Sequence, residues 1–219
     1  MSNAYVAPEM VEVLVIGYKA GIADGSVACM NDLGTYYYMG DLADQDYEAA
    51  AELYDMASER GCAQSTINLG YIYEYGRVGE PDYDAAYHLY ALAAALAVAP
   101  GERAEALYKL GDMYSRGRSV EHDLRRASAL WERSLAVADD LVVSAQPSIR
   151  LARLLFDDEA VELGVAPDPF SALRLFQQAE MGLRIDIGEN GLTYYYRRLA
   201  EAIEGQQRAR DMLDVSVLD

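Results

Sequence analysis

Leucine returns along this chain with a regularity that one folded core does not require. Leu33, Leu69, Leu110, Leu151 and Leu192 stand 36, 41, 41 and 41 residues apart. Glycine follows the first three, as Gly34, Gly70 and Gly111, while Ala152 and Thr193 hold that place after the last two. A fixed period of this length marks a stacked array of small units, each burying its apolar face only against its neighbours. The fold class that follows is all-α. The 219 residues are read as a single repeat domain rather than two unrelated ones.

Other positions keep step with the leucines. Four residues on stand Tyr37, Tyr73 and Tyr114, and seven on stand Gly40, Gly76 and Gly117. Thirteen on stand Asp46, Asp82 and Asp123, with Asp168 displaced by extra residues in DDEAVELGVAPD. Counting four, eight and eleven from each Asp gives Ala50, Ala86, Ala127 and Ala172, then Tyr54, Tyr90, Trp131 and Phe176, then Ala57, Ala93, Ser134 and Ala179. Gly40, Gly76 and Gly117 suit the left-handed end of a first helix. The Asp residues suit the N-cap of a second helix, most plainly at Asp168-Pro169, where proline takes the first helical position. Spacings of 4, 4 and 3 put the small and aromatic residues on one helix face, small ones at the crossing and rings filling beside them.

The best-formed unit, Ala106–Ala136, resembles the Sel-1-like repeat, a relative of the tetratricopeptide repeat, whose motif runs roughly A-x-x-x-L-G-x-x-Y-x-x-G-x-G-V-x-x-D-x-x-x-A-x-x-W-Y-x-x-A. The match falls at Ala106, Leu110, Gly111, Tyr114, Gly117, Val120, Asp123, Ala127 and Trp131, with Ser119 and Ser134 in place of a glycine and an alanine. The resemblance implies a right-handed solenoid of antiparallel helix pairs and an adaptor role in signalling or assembly. The units expected are a capping helix at 8–22, repeats at 26–61, 63–97, 103–138 and 147–182, and capping helices within 188–213. In the last stretch Gly191–Glu204 reads as an orphan first helix and Gln206–Leu213 as one more short helix. The longer links after Tyr90 and Trp131 point to extended second helices or loops. Secreted relatives linked to enzymatic activity carry paired cysteines in every repeat, and this chain has only Cys29 and Cys62.

Charge narrows the functions. The net −18 disfavours contact with nucleic-acid phosphates and with anionic membrane surfaces. Through residue 100 there are 3 Lys and Arg against 15 Asp and Glu; beyond it there are 15 against 21, nearly all the cations being arginine. No apolar run approaches a membrane span, and the N-terminus lacks a basic leader region, so a cytoplasmic location is expected. Arginine over lysine and abundant alanine point to a GC-rich bacterial genome. Two cysteines, two histidines and no HExxH leave little material for a metal site, and no cofactor or catalytic group is expected. The acidic runs Asp41, Asp44, Asp46, Glu48 and Asp157, Asp158, Glu159, Glu162 read as solvated turns and caps, since calcium loops need a central Gly and a later Glu.

Eighteen Tyr against three Phe is lopsided for filler. In tetratricopeptide relatives, side chains two before the Leu, or two, five and six after it, line the concave groove. The resemblance places Asn31, Thr35, Tyr38, Tyr71, Glu74, Tyr75, Tyr108, Asp112, Arg116, Arg153, Tyr194, Arg197 and Arg198 at such positions, a set rich in the Tyr, Asn and Arg that anchor interfaces. Two readings stay open. One is a non-enzymatic scaffold holding a protein or peptide in that groove, its arginines suited to an acidic end. The other is an acidic inhibitor or immunity-type protein that captures a basic protein through its charged surface.

Overall fold

The structure is a computed structural model, described for residues 8–40, 44–156, 160–161, 164–190 and 195–216. Ten helices and no strand lie among the described residues: α1 (Pro8–Ala23), α2 (Val27–Met39), α3 (Tyr47–Ser58), α4 (Ala63–Glu74), α5 (Tyr83–Leu96), α6 (Pro100–Arg116), α7 (Leu124–Val137), α8 (Leu141–Leu154), α9 (Pro169–Asn190) and α10 (Tyr196–Ser216). Contacts divide the chain into two compact units, Met1–Glu102 and Arg103–Asp219.

In unit one each helix packs on the next, from α1 through α5. The pairing is set where the leucine-following glycine meets the ring of the second helix. A methyl group added at Gly34 would lie 2.8 Å from the Tyr54 ring, and one at Gly70 would lie 2.6 Å from Tyr90. Both rings are fully enclosed, together with Ala50, Ala57, Ala86 and Ala93. The turns close in the same way twice. Gly40 and Gly76 take φ of 76° and 59°, letting the chain reverse, and the N–H groups of Asp46 and Asp82 then donate to the carbonyls of Tyr37 and Tyr73 at 2.9 Å. Each Asp carboxylate accepts from the N–H three residues on, Ala49 and Ala85, at 2.9 Å. That satisfies an orphan donor of the second helix and favours its positive end.

Unit two repeats the design. Gly111 meets Trp131, where a methyl would sit 2.5 Å from the indole nitrogen. Gly117 turns at φ 60°, Asp123 caps α7 through Arg126 N–H at 2.9 Å, and Asp168 caps α9 through Ser171 N–H at 3.0 Å. Ser119, standing where the motif has its second glycine, takes a left-handed φ of 65°. Ser134 Oγ donates to the Ala104 carbonyl at 2.7 Å, which shows why serine serves in place of alanine at that crossing. α8 packs on α7 and α9, and α9 on α10. The core of the unit gathers Tyr108, Trp131, Ile149, Leu151, Phe176 and Leu183.

Three details differ from the sequence reading. The C-terminal cap is one continuous helix, α10, running through residue 205 instead of breaking there. Gly205 lies against the Phe176 ring, so this glycine serves close approach and ends no helix. The longer links are absorbed mainly by the first helices: α6 has 17 residues against 12 in α4, while α5 and α7 exceed α3 by only two. Asp140 also caps α8, accepting from Val143 N–H at 2.8 Å, at a position outside the repeat pattern.

Gly111→Leu and Ala127→Leu should each overpack the α6–α7 crossing and cost about 1–3 kcal/mol or more. Thermal melts followed by circular dichroism measure this, and an unchanged midpoint in both would refute this helix register.

Candidate partner-binding surfaces

Of the thirteen residues placed on a groove by repeat offset, the twelve among the described residues separate into buried and surface groups. In unit one, α2 carries Asn31, Thr35 and Tyr38. Asn31 is half-buried, and its Oδ1 accepts from Ser65 Oγ at 2.9 Å. Thr35 Oγ1 accepts from the Tyr54 hydroxyl at 3.1 Å and donates to the Asn31 carbonyl at 3.0 Å. Burial pushes the Tyr54 phenol up to about 12, against the opposing bond to Thr35. Glu74, expected on an accessible face, is buried, and its Oε2 accepts from the Tyr90 hydroxyl at 2.8 Å.

The surface group of unit one is aromatic and continuous. Tyr38 meets Tyr47 edge to face with centroids 5.3 Å apart. The Arg77 guanidinium lies 5.2 Å from the Tyr47 centroid and 6.0 Å from that of Tyr75. Tyr75 stacks on Tyr71 at 6.0 Å, and Tyr71 meets Tyr90 edge to face at 6.0 Å. Tyr75 is 48% exposed and Arg77 is exposed, while Tyr38, Tyr47 and Tyr71 are half-buried. The repeat offsets named Tyr38, Tyr71 and Tyr75 but missed Tyr47 and Arg77. One signal was available: Arg77 is one of only three cations before Arg103.

In unit two, Tyr108 and Asp112 are also buried rather than displayed. Arg150 of α8 lies over the Tyr108 ring, 4.8 Å from its centroid, and grips Asp112 with two prongs: Nε to Oδ1, and Nη2 to Oδ2 at 2.6 Å. Trp131 Nε1 donates to Asp112 Oδ1 and to the Tyr108 carbonyl, both at 3.2 Å. Arg116, one turn along α6, reaches Asp112 Oδ2 at 3.7 Å. Burial alone would raise the Asp112 pKa. The Arg150 charge and hydrogen bonds, helped by Lys109 and Arg116, outweigh it and hold the carboxyl below its ordinary range. Arg153 and Arg198 converge on one acid, Glu201, at 3.2 and 2.8 Å, and Arg197 is exposed. Tyr194 lies outside the described residues, as do Asp41, Asp157, Asp158, Glu159 and Glu162 of the acidic runs. Among the described residues, no group of three or more His, Cys, Asp or Glu side chains could hold a metal ion. No helix there is long and apolar enough to cross a membrane.

Paired helices joined by capped turns, with aromatic and charged side chains at the surface, define an all-helical repeat protein of the solenoid class. The Sel1 repeat matches the chain at residues 27–62, 63–98, 104–136 and 149–181, and the chain belongs to the Sel1 repeat family. Such repeats are in general protein–protein interaction modules, typically non-catalytic. Two solved structures share the fold. A Sel1 repeat protein from Oxalobacter formigenes aligns with a TM-score of 0.62 at 21% identity over 95% of this chain and 79% of its own. The protein c5321, described as a protective antigen of uropathogenic Escherichia coli strains with an SLR fold, aligns at 0.60 and 22% identity over 90% of this chain. This chain spans 41% of that protein's length. No curated protein sequence matches the chain.

Asp112→Ala strands Arg150, which is only 10% exposed, and should cost about 3–5 kcal/mol at neutral pH. Because the folded pKa is depressed, the Asp112 contribution is complete above the unfolded value of about 3.9 and fades as pH falls through the lower folded value. The urea midpoints of wild type and variant should therefore converge as pH drops below about 4.

Proposed function

We propose that this chain is a non-enzymatic scaffold or adaptor that holds a protein or peptide partner on the face of its repeats expected to line a groove. The observation that carries this is the ladder from Tyr38 through Tyr47, Arg77 and Tyr75 to Tyr71. Its rings already lean on one another, so a partner meets large amphipathic surfaces whose rotamer freedom is largely lost before binding. Cytoplasmic location, protein partners rather than nucleic acid or membrane, and action without cofactor or metal complete the proposal. The arginines of unit two support an acidic-end clamp less well. Arg116 sits by Asp112, and Arg153 with Arg198 shares Glu201, so much of their charge is met internally.

The second reading, capture of a basic protein by surface charge, draws on one fact. Residues through Glu102 hold 3 Lys and Arg against 16 Asp and Glu, a net −13 of the chain's −18. Affinity capture from the native host separates the two. Loss of the captured partner in a Tyr38→Ala/Tyr75→Ala variant whose melting curve is unchanged, with retention in 0.5 M salt, is the expected result. A partner kept by the variant but released by salt would favour charge capture instead.

A further inference from the structure

We infer that the tyrosine ladder of unit one is a receptor for a cationic, arginine-bearing segment of a partner, and that Arg77 occupies its central slot until that segment arrives. The inference rests on the tyrosine-face reading above and adds the chemistry of the partner. Two independent observations carry it.

The first is geometric. Arg77 lies between Tyr47 and Tyr75, at 5.2 and 6.0 Å, within the range where a guanidinium is attracted to a ring face. The protein thus displays, with its own side chain, the group this pair of rings accepts. Arg77 comes from the exposed turn between α4 and α5, at position 77 in the chain, rather than from a packed helix face, so it can leave without disturbing the core beneath. Tyr38 and Tyr71 extend the aromatic surface on either side of the slot. The second is charge. Asp44, Asp46, Glu48, Glu80, Asp82 and Asp84, all exposed, flank the ladder in sequence, and Arg77 is the one cation between Arg60 and Arg103. A cationic segment is drawn toward these carboxylates, while an acidic one is repelled by them. Arginine fits better than lysine, because its planar, weakly hydrated head stacks on rings and forks onto carboxylates.

The two charge classes of partner make opposite demands on Arg77. For an arginine-bearing segment Arg77 is a competitor; for a carboxylate-bearing one it is the anchor. The experiment measures fluorescence anisotropy of end-blocked Gly-Arg, Gly-Lys and Gly-Glu repeat peptides with the full chain, at about 0.15 M salt so that diffuse attraction is screened. The Gly-Arg peptide should bind tightest. Arg77→Ala should tighten it about two- to fivefold, the worth of one exposed cation–π contact. Tyr75→Ala should weaken it by a similar factor, and Tyr75→Phe, which keeps the ring, should not. Equal Gly-Arg binding by wild type and Tyr75→Ala, or no binding by any peptide, overturns the proposal. Gly-Glu binding that disappears in Arg77→Ala also overturns it while leaving the tyrosine face as the interaction surface. Conversely, peptide binding with no tyrosine-dependent partner in the affinity capture would sink the scaffold reading and not the cation preference.

Discussion

Helix pairing in this protein depends on bringing an aromatic ring into contact with bare backbone. At Gly34, Gly70 and Gly111 the missing Cβ leaves room for Tyr54, Tyr90 and Trp131, and any side chain there would need the space the ring occupies. The contact settles the separation of the two helices, and interiors packed to crystal-like density cannot yield much at such a point. Everything downstream uses that separation. Only when the second helix lies at this distance can Asp46, Asp82 and Asp123 turn their N–H groups onto the carbonyls of Tyr37, Tyr73 and Tyr114, at 2.9 to 3.1 Å. The same closeness lets Ser134 reach across to the Ala104 carbonyl.

Features that repeat at short range were legible in the sequence. The Asp caps, the turn glycines and the ring positions each depend on neighbours within about one helical pair, so their spacing survives as a pattern. What the pattern hid were contacts made by single residues far apart in the chain. Arg150 and Asp112 are 38 positions apart, and no periodicity announces that one will bury the other. Tyr47 and Arg77 belong to different repeats and to non-equivalent positions, so the repeat offsets passed over both. Gly205 illustrates the opposite error. Near a helix end glycine usually signals a stop, yet here its partner is the Phe176 ring, and the helix continues.

Burying Asp112 with Arg150 is expensive, since two charges leave water and a hydrophobic pair of similar volume would often serve stability as well. What distinguishes the arrangement is how completely the acid is satisfied. Arg150 supplies two donors and Trp131 a third, with Arg116 and Lys109 adding charge. Such a fully bonded group fixes the relative placement of α6, α7 and α8, because any slip would leave an unpaired ion.

Three of the four core rings, Tyr54, Tyr90 and Trp131, share one further habit that phenylalanine, as at Phe176, could not supply. Each sends its polar atom to a polar residue on the first helix of its own pair: the Tyr54 hydroxyl to Thr35, the Tyr90 hydroxyl to Glu74, and the Trp131 indole nitrogen to Asp112. The ring fills the crossing while its tip pins a side chain that repeat offsets alone would assign to the accessible face. Phenylalanine in place of Tyr54 or Tyr90 would fill nearly the same volume and lose the bond to Thr35 or Glu74. The polar residues expected to meet a partner therefore divide by what lies beneath them. Glu74 and Asp112 are buried against the ring below, while Thr35 stays exposed and is held by the Tyr54 hydroxyl. Tyr75 is 48% exposed and Tyr38 half-buried, and with Tyr47 and Arg77 between them they form the aromatic surface of unit one.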